Sequence, residues 1–520
     1  MLLLLFPVLA ACGGGGSSGF VPPPPPPPPP GGSGWQPGVF LDASTFQHQC
    51  ENPRSGIDPA TNQPFVDVQG TTLDENNFLR SHSDDTYLWY SEIVDQDPGL
   101  FNDPLVYFDQ LRTFEASPSG PPKDKFHFTI PTDEYFQLTQ TGVSAGYGIT
   151  WEILAPAPPR EIVVALTEPN SPATTLPLPI ERGARVISID GVDVESGNDV
   201  DTLNAGLRPT TIGESHDFEI LDLGMQTTRV VRLTSASVTR APVQYVDVEV
   251  TPTGRVGYML FNTHIATAEN ALIDAVNQLN TAGIDDLVLD VRYNGGGFLY
   301  IASELAYMIG GPQQTAGLTF DLLQFNDKHP ATDPVTGQPL QPMPFFNTST
   351  GGQPLPVLNL TNNRVYVLTG PNTCSASEAI INGLRGVDVE VIQIGSTTCG
   401  KPYGFYEAGN CGTSYFTIQF RGVNAKDFGD YSDGFSPQDT VSNIGVVLPG
   451  CSVSDDFSAQ LGDPLEARFA AALNYRDTGA CLTPTGVGRP GVSQVNTFPQ
   501  AASVFIDENP FLNNRILGRP

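Results

Sequence analysis

Thr369-Gly-Pro-Asn-Thr-Cys-Ser-Ala-Ser-Glu-Ala-Ile-Ile-Asn-Gly-Leu-Arg385, with Cys399-Gly-Lys401 a little further on, decides how this chain is read. The apolar run Val365 to Leu368 predicts a buried strand, and a turn-rich segment follows it. Ser375 then opens a stretch with apolar residues at Ala379, Ile380, Ile381 and Leu384, the spacing of a helix. A serine hydroxyl at a helix N-terminus lies among free backbone N–H groups and at the positive end of the helix dipole, where an alkoxide or oxyanion is stabilised. The same placement suits an ordinary cap, and Ser375 with Glu378 matches the capping-box pattern.

Two further features point to chemistry. A serine needs a base, and a lysine serves only if its pKa falls from about 10.4 to roughly 7 to 8. The lysines are Lys123, Lys125, Lys328, Lys401 and Lys426, and of these Lys401 stands in an apolar, Gly-flanked context behind the strand-like Val389 to Ile394. Leu287 to Val291 predicts another buried strand, and Asn294-Gly295-Gly296-Gly297 follows it. Glycines there let the backbone approach a substrate and present N–H donors.

Together, Ser375-Ala-Ser-Glu, Gly400-Lys401 and Leu287-Val-Leu-Asp-Val-Arg-Tyr-Asn-Gly-Gly-Gly297 resemble the carboxy-terminal processing (tail-specific) proteases, the S41 serine peptidases with a Ser/Lys dyad. The resemblance implies a multidomain α/β fold with a ClpP/crotonase-like α/β catalytic core, a PDZ-like β module and a small helical N-terminal domain. It also implies Ser375 as nucleophile, Lys401 as base, and an oxyanion hole from Gly297, Gly296 and the amide of Ala376, with no cofactor. Two departures stand out. Where many tail-specific proteases carry a glutamine four residues after the lysine, this chain has Phe405, and the tract between Ser375 and Lys401 is one residue longer than usual. Phe405 then either desolvates the lysine only, or another polar group orients it.

The same residues admit rival chemistries. Cys374 beside Ser375 is an alternative nucleophile, but an oxidising compartment would cap a free thiol. His264 suggests a Ser-His-Asp triad, yet no Gly-x-Ser-x-Gly elbow exists. The competing function class is a catalytically inactive, surface-tethered PDZ binding protein; a crotonase-like acyl-coenzyme A enzyme is third, and an export signal counts against it.

The N-terminus supplies that signal. Residues 1–12 form a short apolar run ending in Leu9-Ala10-Ala11-Cys12, which resembles a lipoprotein signal peptide with lipobox, too short to span a bilayer. The expectation is acylation of Cys12 and a lipid-anchored protein of the cell envelope, sorted to the outer membrane if the envelope is Gram-negative, since Gly13 is not aspartate; a plain secretory signal is the alternative. Residues 13–40 are a Gly/Ser/Pro linker with a proline run from Pro22 to Pro30, a stiff spacer. Removing Cys12 leaves six cysteines, an even set suited to disulfides outside the cytosol. Proximity suggests Cys399 with Cys411 and Cys451 with Cys481, leaving Cys50 and Cys374. Asp427, Asp430 and Asp433 do not fit a calcium loop, so no metal is expected. A net charge of −31, from 25 basic and 56 acidic residues, makes nucleic acid and anionic lipid headgroups poor partners.

Between these landmarks, residues 41–135 are expected to be helical, with a helical pattern from Thr72 to Thr113. Residues 142–236 are expected to be the PDZ-like module, on Gly142-Val-Ser-Ala-Gly-Tyr-Gly148 and on Gly183-Ala-Arg-Val-Ile-Ser-Ile-Asp-Gly-Val-Asp-Val194 with its Asp190-Gly191 turn. Such modules capture polypeptide C-termini by strand addition. Residues 237–475 form the catalytic domain, with a strand at Val256 to Phe261, an amphipathic helix from Thr267 to Asn280 and a βαβ crossover. A long insertion at 310–360, a strand over Phe416 to Phe420, a closing helix beginning near Pro464 and a peripheral tail from 476 to 520 complete the expectation. Partners are then polypeptide substrates that are unfolded or have exposed C-termini, and a membrane reached through lipid.

Overall fold

The computed structural model describes residues 34–58, 61–440, 444–482 and 515–516. The leader with Cys12, most of the proline linker and most of the tail lie outside the described residues. Among the described residues no helix is long and apolar enough to cross a membrane.

The core is a six-stranded sheet in the order Val243–Thr251, Gly254–Phe261, Asp286–Asp290, Arg364–Thr369, Glu390–Gly395, Gly450–Ser452. The first pair is an antiparallel hairpin and all later pairs are parallel, as the strand–helix–strand spacing predicts. Alternate residues of each strand enter different cores. Met259, Phe261, Leu287, Leu289, Val365 and Val367 pack with helices Ala268–Ala282, Leu299–Thr315 and Ala376–Gly386; Tyr258, Leu260, Val288, Tyr366, Leu368 and Ile394 pack with Ala467–Thr478. Both faces are covered, which is why these strands read as continuous apolar runs rather than alternating ones.

A second six-stranded sheet spans Ile149–Ala155 to Arg229–Thr234 and has its own core around Ile162, Val186, Ile189, Leu203, Phe218 and Val231. Its hairpin turns at Asp190 (φ 49°) and Gly191 (φ 80°), two left-handed residues as the Asp-Gly pair demands. The helix Val200–Leu207 packs on this sheet and is an addition to the expected elements. A buried ionic cluster fastens this unit to the core. Arg182 donates to Asp455 Oδ1 (2.5 Å) and to the Tyr293 hydroxyl (2.6 Å), while Arg292 donates to Asp455 Oδ1 (2.8 Å) and to Glu466 (2.8 and 2.9 Å).

Several expectations need correction. The helical pattern from Thr72 to Thr113 yields two helices rather than a continuous one: Thr72–Thr86, capped by Thr71 and Asp74, then short 3-10 turns, and Pro104–Phe108, capped by Asp103 as its sequence suggests. Tyr87 ends the first helix because its hydroxyl is drawn inward to Asp124 (2.7 Å). Phe128–Pro131 joins Thr413–Phe416 as a strand pair, so the N-terminal region is stitched into the core domain. Phe416 to Phe420 is not one strand but the junction of Thr413–Phe416 and Phe420–Val423. Part of the 310–360 insertion is a strand, Thr319–Gln324, paired with Phe420–Val423. The closing helix starts at Ala467, with Glu466 rather than Pro464 as its cap, since the Glu466 carboxylate accepts from the Phe469 amide (3.1 Å). The disulfides are Cys50–Cys411, Cys374–Cys399 and Cys451–Cys481; proximity in sequence misassigns Cys399 and Cys411 because Cys50 is brought to Cys411 across 361 residues.

Candidate active site

The strand Arg364–Thr369 ends in a tight turn, and Ser375 takes φ 62°, ψ −112° immediately before the helix Ala376–Gly386. A side chain in the left-handed half of backbone space is held there only by its surroundings. The Cys374 amide donates to the Asn294 carbonyl (3.1 Å), as does Ser377 Oγ (2.9 Å), and Thr373 Oγ1 donates to the Val291 carbonyl (2.8 Å). The serine turn is thereby bound to the glycine loop. Asn294 in turn orders that loop, accepting at Oδ1 from the Gly296 amide (3.0 Å) and donating from Nδ2 to the Phe261 carbonyl (2.9 Å). Gly297 must be glycine: at φ 135° an added Cβ would lie 2.4 Å from the His264 carbonyl oxygen.

Glu378 is the hub. Its fully buried carboxylate accepts at Oε2 from the amides of Ser375 (2.9 Å) and Lys401 (2.8 Å), and at Oε1 from the Gly400 amide (2.9 Å) and the Thr398 hydroxyl. Burial pushes its pKa up, and these donors pull against that shift. Ser375 and Glu378 sit as the expected capping box, with its hydrogen bond on the Ser375 amide side. Ser375 Oγ caps nothing: it is buried and has no hydrogen-bond partner among the described residues. The Cys374–Cys399 disulfide is a second tie between the same two segments.

Lys401 is fully buried. Its Nζ lies 4.4 Å from the ring centre of Phe405 and 4.6 Å from that of Phe126. Phe405 therefore walls the lysine off, one of the two roles open to it from sequence. Phe126 does so too, and nothing local in the sequence marks it, because it arrives from the N-terminal region. A cleft of 680 Å³, lined in part by Lys125, Phe126, Gly400 and Tyr403, opens on this side.

The rival residues fare differently. Cys374 has its sulfur in a disulfide. His264 sits beside the glycine loop, but its Nδ1 faces the Asn294 amide oxygen (3.0 Å) rather than a carboxylate. Burial lowers its pKa to about 3, so the ring is neutral at pH 7. The structure thus gathers Ser375, Ala376, Gly296, Gly297 and Lys401 on adjoining segments; Glu378, which the sequence marks only as a cap, is the residue that joins them. Cys12 lies outside the described residues.

Residues 255–404 match the model of peptidase family S41. The chain is similar to a carboxyl-terminal-processing protease of Picosynechococcus sp., 26% identical over 271 residues, covering 51% of this chain and 56% of that protein. It is also similar to a carboxyl-terminal-processing protease of Synechocystis sp., 30% identical over 171 residues, covering 33% of this chain and 38% of that one. The chain thus spans about half the length, or less, of these curated relatives. A solved structure described as an S41 protease from Bacteroides fragilis superposes with a TM-score of 0.57 at 22% identity, over 78% of this chain and 97% of that chain, a likeness of fold.

Proposed function

We propose that this chain, whose residues 255–404 are a peptidase family S41 domain, is a serine endopeptidase that hydrolyses peptide bonds of exported proteins by a Ser375/Lys401 dyad. The observation that carries the reading is the shared Glu378 oxygen, which holds the backbones of Ser375 and Lys401 side by side. Ser375 Oγ attacks the scissile carbonyl carbon, and neutral Lys401 takes the hydroxyl proton. The tetrahedral oxyanion is received by backbone amides of Gly297 or Gly296 and Ala376. Collapse expels the amine, which takes the proton from Lys401, and leaves an acyl-Ser375 ester. Water, deprotonated by the same lysine amine, then releases the acid and restores the serine.

The second sheet is proposed to serve as a PDZ-like reader of substrate C-termini. Its strand Ile149–Ala155 is the last in the sheet order, so one edge is open to an added strand. That strand also reaches the catalytic turn, where Asn372 donates to Glu152 (3.3 Å). Cys12 is proposed as the lipid attachment point and the cell envelope as the location. The inactive-binder reading keeps one observation in its favour: Phe405 where a lysine-orienting glutamine is usual.

The test is hydrolysis of an unstructured polypeptide with an apolar C-terminus against the same polypeptide ending in two aspartates. Faster cutting of the apolar form, abolished by Ser375→Ala, supports the reading. A folded protein that binds the apolar tail and cuts neither form supports the binder.

A further inference from the structure

The two-residue strand Arg515–Ile516 runs parallel to Gly297–Phe298, pairing Gly297 with Arg515 and Phe298 with Ile516. On its other side Ile516 forms a parallel bridge with Phe405. One flank is therefore the loop that carries the proposed oxyanion donors, and the other is the residue whose ring covers Lys401 Nζ. The remaining edge of Gly297–Phe298 is already used, since the Phe298 amide donates to the His264 carbonyl (2.8 Å). Ile516 is only 3% exposed and belongs to the same apolar core as Phe298 and Phe405. Ser375 and Lys401 are both fully buried in this arrangement.

A polypeptide that offers its carbonyl to amides of an extended loop lies along that loop as a strand, its amides and carbonyls meeting the free edge. That edge is taken here by the chain itself. Resting on the peptidase reading above, we propose that residues 515–516 occupy the substrate-strand position between Gly297–Phe298 and Phe405. This position accepts an extended segment carrying a branched aliphatic side chain, and the chain's own segment competes there with substrate. Being tethered, it competes at the effective concentration of an intramolecular ligand and not that of the bulk protein.

The test uses the full chain with Ile516→Asp, Ile516→Val and Arg515→Pro, the last placing a residue of fixed φ inside the strand while keeping the isoleucine. Two readouts are taken: amide hydrogen exchange at Gly297 and Phe405, which flank the docked strand, and turnover of a short soluble peptide with a branched aliphatic residue. Burial of one such side chain sets the scale, so Ile516→Asp and Arg515→Pro are expected to speed both exchange and turnover roughly tenfold, with Ile516→Val near wild type. Thermal unfolding checks that each variant is folded, and Arg515→Pro carries the test if Ile516→Asp is not. Unchanged exchange at both Gly297 and Phe405 in a folded variant overturns the docking, and faster exchange with unchanged turnover in an active enzyme overturns the competition. Faster exchange with no turnover in any form, wild type included, leaves the docked strand standing and sinks the peptidase reading instead.

Discussion

The backbone amides of Ser375 and Lys401 donate to one and the same carboxylate oxygen, Glu378 Oε2, at 2.9 and 2.8 Å. Position along the chain separates them by a helix and a strand; the carboxylate cancels that separation. Glu378→Gln keeps one acceptor oxygen but turns an amide N–H₂ toward backbone N–H groups, and Glu378→Ala leaves buried donors unsatisfied. Each orphaned donor costs about 1–3 kcal/mol. A displacement of about 1 Å between nucleophile and base costs on the order of 100-fold in rate. Both variants are expected to lose about 100-fold or more in kcat with little change in KM. Turnover within a few fold of wild type in a folded Glu378→Gln protein would remove Glu378 from its positioning role.

The Cys374–Cys399 disulfide ties the same two segments a second time and closes a sequence separation of 25 residues. Closing a loop of that size is worth about 3 kcal/mol through the unfolded chain. Denaturant unfolding of the Cys374→Ala/Cys399→Ala double variant should show a loss near that figure, with reduced peptide turnover. Unchanged stability and turnover together would show the tie to be dispensable.

Asp455 faces Arg182 from the second sheet and Arg292 from the core, with Arg468 at 3.7 Å. Burial alone would push its carboxyl up; Arg468, Arg292 and Arg182 override this and hold it well below the usual range. Breaking a buried pair by removing one charge costs about 3–5 kcal/mol. Asp455→Asn is expected to lose that much on chemical denaturation. A loss under about 1 kcal/mol, the value of an exposed pair, would contradict the buried latch.

Much of the catalytic core is legible in the amino-acid sequence. The core strands read cleanly because both faces are buried, so each is an unbroken apolar run, and the glycine loop and the serine turn sit at strand ends where turn residues announce them. What stays hidden is made by tertiary closure. Cys50 finds Cys411 across 361 residues, and Phe126 reaches Lys401 from another part of the chain. Glu378 is visible only as a cap, because the Ser-x-x-Glu spacing is satisfied locally and says nothing of the amides of Gly400 and Lys401. Tyr87 breaks the long helical pattern because its buried bond to Asp124 outweighs local propensity.

His264 provides a pH signature. It is fully buried and its pKa is lowered, by burial first, to about 3, against an ordinary value near 6.5. Below pH 6.5 the unfolded chain takes up a proton that the folded chain refuses. Stability therefore falls as pH drops from about 6.5 toward 3, by up to about 1.4 kcal/mol per pH unit. Asp455, whose pKa is depressed, adds its own loss only below about 4. Glu378, whose pKa is raised, acts in the opposite sense just above the ordinary carboxylate range. His264→Gln removes one of these contributions, so its stability deficit relative to wild type is expected to shrink as pH falls from 7 to 5. A constant deficit would mean that His264 is not held neutral.

The proposed chemistry rests on Ser375 as a nucleophile activated by Lys401. Its most direct test is covalent labelling by a peptidyl fluorophosphonate, followed by mass spectrometry of the labelled peptide, across pH 6 to 10 in wild type, Ser375→Ala and Lys401→Ala. One adduct is expected, on Ser375, forming at a rate that rises with pH to a midpoint below the ~10.4 of an ordinary lysine. That adduct is expected to be lost in both variants. Labelling that spares Ser375 in the folded protein, or that proceeds equally well in Lys401→Ala, would contradict it.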